Sequence, residues 1–466
     1  MKRVVLSGLM LMSFFFGAGN LIYPPLAGLN AGSEFLSVTT GFTLTAVVIP
    51  FLTILAVALS GDSALSLAGR VGKLYGLVFT VIIILSIGPL FGIPRVANVS
   101  LEIGVKPLLD SSGLGGNDSI SLAGLLYIFF FFLMAFVLAL YGEQLVDSIG
   151  KYLSPALVIF TMALVLVYAF SSSPKEVGQV HEEYVSGAFF KGAFDGYGTL
   201  DAIAAVAFAG LIVNALRPSP DTPAKVVFSG VVKAGFIACV LLAVIYFGLA
   251  YVGNVSAVSG KSTGADILVY ASEESFGAAG QLVFAIIVFL ACITTAVGLL
   301  KTLSTYSRNL FGLFSEKSWL IIYTLFSAVL SVQGLNSVLK TSVPMIYLTY
   351  PITIALVLVT LLNKWTKDRA WVYFWVALLV TPVAFADAFR IFSANYFNGS
   401  IDLLGGLRDY IPLANTDFSW VTPLVLALVI GFLFPKKPVN NFLLGDVDAE
   451  ARRKKQEAEE KYGEVL

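Results

Sequence analysis

Charged residues are scarce in this chain of 466 residues, because Asp, Glu, Lys and Arg together make up only 12% of it. Soluble proteins carry about twice that share, so the chain has too few charges to cover a water-exposed surface. The 29 basic residues equal the 29 acidic ones, which leaves no basic field that would attract nucleic acid. We therefore expect no soluble enzyme, no disordered chain and no nucleic-acid partner.

Metal-binding and disulfide-forming residues are also few. The sequence has one histidine, His181, which cannot form a cluster of histidine ligands. Its two cysteines, Cys239 and Cys292, stand in apolar runs and indicate neither a disulfide framework nor a thiolate metal site. Without such clusters or paired carboxylates in the apolar segments, we expect no organic cofactor and no enzymatic activity.

Apolar residues, in contrast, are abundant: they make up 58% of the chain, in addition to 42 glycines. A bilayer core about 30 Å thick is crossed by a helix of about 20 apolar residues. The apolar runs are continuous rather than alternating, which predicts an all-α polytopic membrane protein and not a β-barrel. About twelve segments qualify, numbered 1 to 12 in chain order: residues 4–28, 35–59, 74–97, 119–141, 150–170, 197–216, 225–251, 279–311, 317–335, 341–362, 369–391 and 418–435.

The distribution of Lys and Arg predicts how the segments are oriented. With Lys2 and Arg3 in the cytoplasm, about fourteen basic residues fall on the cytoplasmic side and about eight, including Arg95, on the outer side. This topology places both termini in the cytoplasm. The apolar run after Arg3 also has features of a secretory signal, but it continues past two prolines to Gly28, which favours a transmembrane helix.

The spacing of the segments indicates an internal repeat. A shift of about 191 residues brings segment 2 beside segment 7 and segment 5 beside segment 10, although segment 3 misses segment 8 by about fifteen residues. Because five is odd, the two halves would be inserted in opposite orientations, as in many secondary transporters. We therefore predict a transmembrane domain over residues 1–435, with repeats over 4–170 and 197–362 and two extra helices over 369–435. Residues 436–466 form a charged tail, which is either solvated or, alternatively, lipid-binding.

Segment 1 contains the strongest candidate for a binding site, the run Phe16-Gly17-Ala18-Gly19-Asn20 halfway along it. Glycine permits a break in the helix, and such a break is tolerated in a membrane where it lines a cavity or contacts protein. The N–H groups that open the second half-helix would attract a carboxylate, and carbonyls freed from the first half would attract a cation. Both poles of an amino acid could bind there. Close packing of small residues between helices is the alternative.

Segment 6 contributes a second set of candidates. Asp201 lies several residues inside the apolar run, and a carboxylate in a membrane is a functional hypothesis by default. Its alternative role is an interfacial residue that reaches the lipid headgroups. Further along, Phe208 and Gly210 echo the pattern of segment 1, and Ala207 and Phe208 either line a cavity or simply pack.

Segment 8 carries adjacent hydroxyls, Thr294 and Thr295, shortly after Ala291. Hard cations prefer oxygen ligands, so these hydroxyls and nearby carbonyls could form a neutral cage for Na⁺. The alternative is that each threonine bonds to a carbonyl of the preceding helical turn, which is common in membrane helices.

At these residues the sequence resembles the bacterial branched-chain amino-acid:cation symporters, the LIV-II or BrnQ-type carriers. The resemblance implies Na⁺-coupled import of leucine, isoleucine and valine across the bacterial plasma membrane, with no obligate protein partner. It also implies a five-plus-five inverted repeat of the LeuT type with discontinuous helices 1 and 6. The stretches that carry it are Phe16-Gly-Ala-Gly-Asn-Leu-Ile-Tyr-Pro-Pro25, Gly88-Pro-Leu-Phe-Gly-Ile-Pro-Arg95, Gly196-Tyr-Gly-Thr-Leu-Asp201 and Ala291-Cys-Ile-Thr-Thr-Ala-Val-Gly298.

The same resemblance implies roles for individual residues. The amides of Ala18 and Gly19, next to Gly17, would meet the substrate carboxylate. One sodium ion would be bound by a set of carbonyls and hydroxyls: Ser13, Phe16, Ala291, Thr294 and Thr295. A second sodium site would involve Asn20, but its usual hydroxyl ligand from helix 6 has no counterpart, since Ile203 stands near that position.

The coupling ion has an alternative. Proton-coupled relatives in the wider superfamily replace a sodium ion with a lysine from helix 5, and residues 154–170 contain no lysine. This favours sodium. A proton-coupled or uncoupled amino-acid permease, with Asp201 as the titrating group, is the alternative function.

Overall fold

The computed structural model describes residues 2–60, 63–111, 121–141, 143–171, 174–216, 224–366, 369–397, 399 and 401–434. Over these ranges the chain is helical and contains no β-strand, which confirms the all-α prediction. The predicted tail over residues 436–466 lies outside the described residues.

The described residues of the first half of the chain form ten α-helices, several of which follow one another with little or no interruption. Wide π-helical turns connect α3 to α4, α6 to α7 and α7 to α8, at Leu44–Val48, Ser86–Leu90 and Ser100–Val105. The helices are α1 (Lys2–Phe15), α2 (Ala18–Ala31), α3 (Phe35–Thr43), α4 (Ile49–Ser60), α5 (Ala64–Ala68), α6 (Lys73–Leu85), α7 (Gly92–Val99), α8 (Lys106–Ser111), α9 (Leu122–Tyr141) and α10 (Glu143–Phe170).

The second half of the chain forms a further ten helices among the described residues, and α19 and α20 lie where two helices beyond the repeats are predicted. A helix or pair of helices lies over each of the predicted segments within the described residues, but several boundaries differ. Helices α10, α15 and α17 begin earlier than predicted, α19 and the helical path of segment 3 end later, and α12 precedes segment 6. The helices are α11 (Glu182–Val185), α12 (Ala188–Tyr197), α13 (Asp201–Ala215), α14 (Ala224–Asn254), α15 (Gly264–Phe311), α16 (Glu316–Ser331), α17 (Leu335–Leu361), α18 (Asn363–Thr366), α19 (Ala370–Tyr396) and α20 (Val421–Leu433).

Length and composition identify the membrane-crossing candidates among the described helices. Seven stretches are long and apolar enough to cross a membrane: Gly19–Ser60, Lys73–Leu109, Leu122–Tyr141, Lys225–Asn254, Gly280–Phe311, Leu335–Leu361 and Ala370–Tyr396. Three further apolar helices are shorter, at Pro155–Phe170, Asp201–Gly210 and Val421–Leu433. The total of twelve spans stays a prediction.

Helix contacts in the first half recur in the second. The packing of α2 and α1 on α14 corresponds to that of α12 and α13 on α3 and α4, and α10 meets α14 as α17 meets α4. The mismatch between segments 3 and 8 came from a wrong start for segment 8. The shift of about 191 residues takes Lys73, where α6 begins, to Gly264, where α15 begins. The inverted repeat itself stays a prediction.

Glycines bring the corresponding helices into close contact. A Cβ on Gly41 or Gly192 would collide with backbone of the facing helix at the α3–α12 contact. The same is true of Gly28 and Gly253 at the α2–α14 contact. Small residues at these crossings let the helix backbones approach closely, as is usual in membrane proteins.

The α3–α12 contact gives a stability prediction. Gly192→Ala should lower the free energy of unfolding by about 1–3 kcal/mol, because the added methyl group would overlap the carbonyl of Val38 and force the helices apart. Thermal unfolding of the purified protein measures the effect. Gly406→Ala is the matched control, since a Cβ at Gly406 meets nothing within 4 Å. Equal melting temperatures for the two variants would contradict the close-contact interpretation.

Candidate transport site

The first helix break lies where the sequence predicts it. Helix α1 ends at Phe15 and α2 begins at Ala18, with Gly17 in an extended conformation (φ −103°, ψ −165°). The N–H of Asn20 donates to the carbonyl of Gly17 at 3.2 Å, and not to that of Phe16, which a regular helix would engage. The Gly17 N–H donates to the side-chain oxygen of Asn20 at 3.0 Å. The predicted discontinuity of helix 1 is thus confirmed, and Asn20 stabilises it.

The second break separates α12 from α13 at residues 198–200. Leu200 has φ +66° and is buried, a left-handed conformation that costs on the order of 1 kcal/mol for a residue other than glycine. The Thr199 hydroxyl donates to the carbonyl of Gly196 at 2.9 Å and accepts from the Asp201 N–H at 3.4 Å. It therefore links the end of α12 to the start of α13.

The predicted echo between segments 1 and 6 is wrong in position. Phe208 and Gly210 lie within the continuous helix α13, beyond the break at 198–200. Phe208 is buried, while Ala207 and Gly210 are half-buried. The shared letters reflect two apolar helices with small residues, whereas the break itself is set by the left-handed residue Leu200 and by tertiary contacts.

A polar cluster joins the two breaks. The side-chain N–H groups of Asn20 donate to Asp201 Oδ2 at 2.6 Å and to the Tyr246 hydroxyl of α14. The Tyr246 hydroxyl donates to the same Asp201 oxygen at 3.1 Å. The three residues are at most 2% exposed. Asp201 therefore lies in the protein interior, and its alternative role at the lipid headgroups is wrong.

An aromatic layer covers this cluster. The ring of Phe16 stacks on Tyr246 with centroids 6.3 Å apart, and Phe42 meets the same ring edge-on at 5.7 Å. The Asn20–Asp201–Tyr246 cluster is consequently surrounded by apolar groups, where each of its hydrogen bonds is stronger than it would be in water.

Arg95 lies in the protein interior, although the sequence predicts it on the outer side. It lies on α7, only 4% exposed, and not in an outer connection. Its Nη1 donates to the Gly198 carbonyl at 2.5 Å and its Nη2 to the Thr199 carbonyl at 3.0 Å. The prediction failed because segment 3 was ended at residue 97, whereas the helical path continues to Ser111. The signal that could have found it is its apolar setting, between Lys73 and Glu102.

Thr295 of α15 faces the first break. A Cβ on Gly17 would lie 3.5 Å from Cγ2 and 3.6 Å from Oγ1 of Thr295. Thr294 and Thr295 both donate to the carbonyl of Ala291, at 2.9 and 3.0 Å. This is the bonding of the alternative interpretation, but it uses only the hydroxyl hydrogens, so the oxygen lone pairs remain available to a cation. The side chains of Ser13 and Ala18 lie outside the described residues.

Comparison with known proteins identifies the family. The profile described as "Branched-chain amino acid transport protein" matches residues 1–438. The chain belongs to this family. It is 37% identical to the branched-chain amino acid permease BraB of Bacillus subtilis (strain 168), over 94% of this chain and 98% of that protein. It is 35% identical to the permease BrnQ of Corynebacterium glutamicum, over 92% and 94% of the two chains.

Solved structures show the fold. The chain is similar to Mhp1, a nucleobase-cation-symport-1 family transporter, in a closed conformation with bromovinylhydantoin bound, with a TM-score of 0.58 and 15% identity over 92% of this chain and 91% of Mhp1. The inward-facing conformation of Mhp1 matches equally, with a TM-score of 0.58. This member of the family is therefore a multi-pass membrane transporter with the predicted LeuT-type fold, and the prediction that it is not an enzyme is confirmed.

Proposed function

We propose that this transporter imports leucine, isoleucine and valine together with Na⁺ by alternating access. The family and the permeases most like the chain support the substrate class. The observation that carries the proposal is the meeting of two helix breaks at one buried polar cluster, Asn20–Asp201–Tyr246. Discontinuous helices in corresponding halves are the usual position of a substrate site in such transporters.

The substrate would bind where the two halves of segment 1, α1 and α2, meet. The first-turn N–H groups of α2, at Ala18 and Gly19, lack intrahelical acceptors and suit a carboxylate. The aliphatic side chain would lie against Phe16, Ala207 and Phe208. Because leucine, isoleucine and valine differ only in the branching of that side chain, an apolar wall distinguishes them weakly.

Na⁺ would bind as a co-transported substrate between α1 and α15. Its ligands in this proposal are the carbonyls of Ser13, Phe16 and Ala291 with the hydroxyls of Thr294 and Thr295. The approach of Thr295 to Gly17 supports this placement, as does the absence of a backbone bond from Asn20 to Phe16. Oxygen ligands without charge are suited to a hard cation that must also be released. A second Na⁺ ion at Asn20 would share the side-chain oxygen of Asn20 with the Gly17 N–H, which already donates a hydrogen bond to it.

The sodium proposal predicts that the double variant Thr294→Ala/Thr295→Ala loses sodium-stimulated leucine uptake at normal surface expression. We expect the stimulation to fall at least about tenfold, because two of the five ligands disappear. Thr305→Ala is the matched control, since Thr305 on the same helix makes the same kind of bond, to the Lys301 carbonyl at 3.0 Å. Uptake that keeps its sodium dependence in the double variant would refute the ligand assignment.

Proton coupling is the second candidate. The observation that favours it is Asp201, a carboxylate 2% exposed at the meeting point of both breaks. In that mechanism Asp201 would take up and release the proton, and uptake by Asp201→Asn would lose its dependence on pH. An unchanged pH profile in that variant would exclude Asp201 as the proton carrier.

The proposed location is the bacterial plasma membrane, with both termini in the cytoplasm. The excess of Lys and Arg on the predicted cytoplasmic side supports this orientation. Moving Arg95 from the outer connections into the protein interior enlarges that excess.

A further inference from the structure

Arg95 carries a buried charge that no carboxylate of the described residues neutralises directly. None of the ion pairs within 4.0 Å in the described part of the chain includes it. Its Nε is buried without a hydrogen-bond partner there. The carboxylate of Asp201 interacts with the guanidinium electrostatically but does not contact it, and its hydrogen bonds come from Asn20 and Tyr246. A guanidinium inside a membrane protein is costly without an opposite charge, so such a group indicates a ligand.

The guanidinium lies between two helix ends of opposite polarity. Its Nη groups donate to the carbonyls of Gly198 and Thr199, just past the C-terminal end of α12. The C-terminal end of a helix carries partial negative charge and therefore stabilises a cation. On its other side is Gly19, the second residue of α2, where a Cβ would lie 2.7 Å from Nη2. The N-terminal end of a helix carries partial positive charge. The positive charge of Arg95 and the positive end of α2 therefore meet at one place, where a bound anion would be stabilised by both.

We propose that Arg95 and the N-terminus of α2 together bind the carboxylate of the amino-acid substrate, with Arg95 supplying the positive charge. This inference rests on the proposed function and names the group that recognises one end of the substrate. Two of the five guanidinium N–H groups donate to carbonyls and the Tyr23 hydroxyl is a further partner, while the Nε group has no acceptor among the described residues. The planar fork of N–H donors matches a carboxylate in geometry, and the guanidinium supplies a full positive charge.

The glycine at position 19 fits this assignment. Any side chain there would press on the guanidinium and separate it from the first-turn N–H groups of α2. Because residue 19 has no side chain, the first-turn N–H groups of α2 and the Arg95 guanidinium could contact the same carboxylate. Tyr23, one turn further along α2, holds the same guanidinium over its ring at 6.0 Å from the centroid.

The test compares leucine with leucinol, which has the same side chain and amine but a hydroxymethyl group in place of the carboxylate. Binding of labelled leucine to the purified, nanodisc-embedded protein in sodium buffer, competed by each compound, gives the two affinities. Wild type should prefer leucine at least about 100-fold, since a site built for a polar group rejects a ligand that lacks it. In Arg95→Gln the two affinities should become nearly equal, through loss of leucine affinity alone.

Two further variants make the outcome specific. Arg95→Lys retains the charge without the fork and should keep part of the preference. Arg390→Gln removes an arginine of α19 whose nearest carboxylates are Asp387 and Asp417, at 4.0 and 3.9 Å, and should keep all of it.

Either of two results would overturn the inference: a wild-type protein that binds leucinol as tightly as leucine, or an unchanged preference in Arg95→Gln. If Arg95→Gln does not fold, the wild-type comparison and the Arg95→Lys variant decide. If Arg95 had only a structural role, Arg95→Lys would lose affinity for leucine and for leucinol to the same extent. Wild type that binds no branched-chain amino acid would instead refute the proposed function itself.

Discussion

Asn20→Ala is expected to reduce the initial rate of leucine uptake at least about 100-fold while the protein still reaches the membrane. The Asn20 amide accepts from Gly17 at the break of helix 1 and donates to Asp201 on α13 and to Tyr246 on α14. Hydrogen bonds to a charged group contribute about 1.5–3 kcal/mol each, and a buried donor or acceptor left without a partner costs about as much. Alanine removes every one of these contacts at once.

The consequence for transport follows from what Asn20 joins. If the bundle of helices 1 and 6 moves as one body during alternating access, its two breaks must stay in register. Without Asn20, the carboxylate of Asp201 retains the Tyr246 hydroxyl and the Thr199-capped start of α13, but nothing in the cluster holds α2 to α13.

Asn98→Ala is the matched control for this prediction. Asn98 is another buried asparagine, on α7, and its amide donates to the carbonyl of Pro94 at 3.0 Å, within its own helix. We expect that variant to transport leucine within about threefold of wild type. Asn20→Ala with a rate that close to wild type would contradict the role given to the cluster.

Asp201→Asn is expected to abolish concentrative leucine uptake. The change preserves size and leaves an oxygen that can still accept from Asn20, so the fold should persist. It removes the negative charge that shares this interior with the Arg95 guanidinium, and an uncompensated buried charge costs about 3–5 kcal/mol. Uptake into proteoliposomes at matched protein content, with Asp201→Glu expected to recover part of the rate, measures the effect.

Asp387→Asn separates the loss of this particular charge from the loss of any buried carboxylate. Asp387 lies on α19, is 4% exposed, accepts from Ser419 and lies 4.0 Å from Arg390. We expect it to lower stability but to leave concentrative uptake in place. Equal loss of uptake in both variants would show that Asp201 has no special role.

The break in helix 1 could be predicted because its cause is local. Gly17 and Gly19 permit the backbone to leave the helix, and the neighbouring Asn20 bonds back to it, so a few adjacent residues contain the whole signal. The break in helix 6 could not be placed in the same way. It is centred on Leu200, a residue with no preference for a left-handed conformation, which is held there by the surrounding helices.

Two other residues of the site were missed for reasons of context. Tyr246 stands in a long apolar run and is indistinguishable, by pattern, from an aromatic packing residue until Asn20 and Asp201 are placed beside it. Arg95 was misplaced by an error of helix length.

The start of α15 was missed because Asp266, Glu273 and Glu274 reduce the hydropathy of its first turns, although burial against other helices keeps the segment helical.

Labelled-leucine uptake into proteoliposomes of the purified protein, with sodium and proton gradients imposed separately, tests the central claim most directly. An inward sodium gradient should drive accumulation of leucine, and isoleucine and valine should compete with it. A proton gradient alone should drive none. Accumulation driven by protons and indifferent to sodium would contradict the sodium mechanism, and absence of leucine uptake under either gradient would contradict the proposed function.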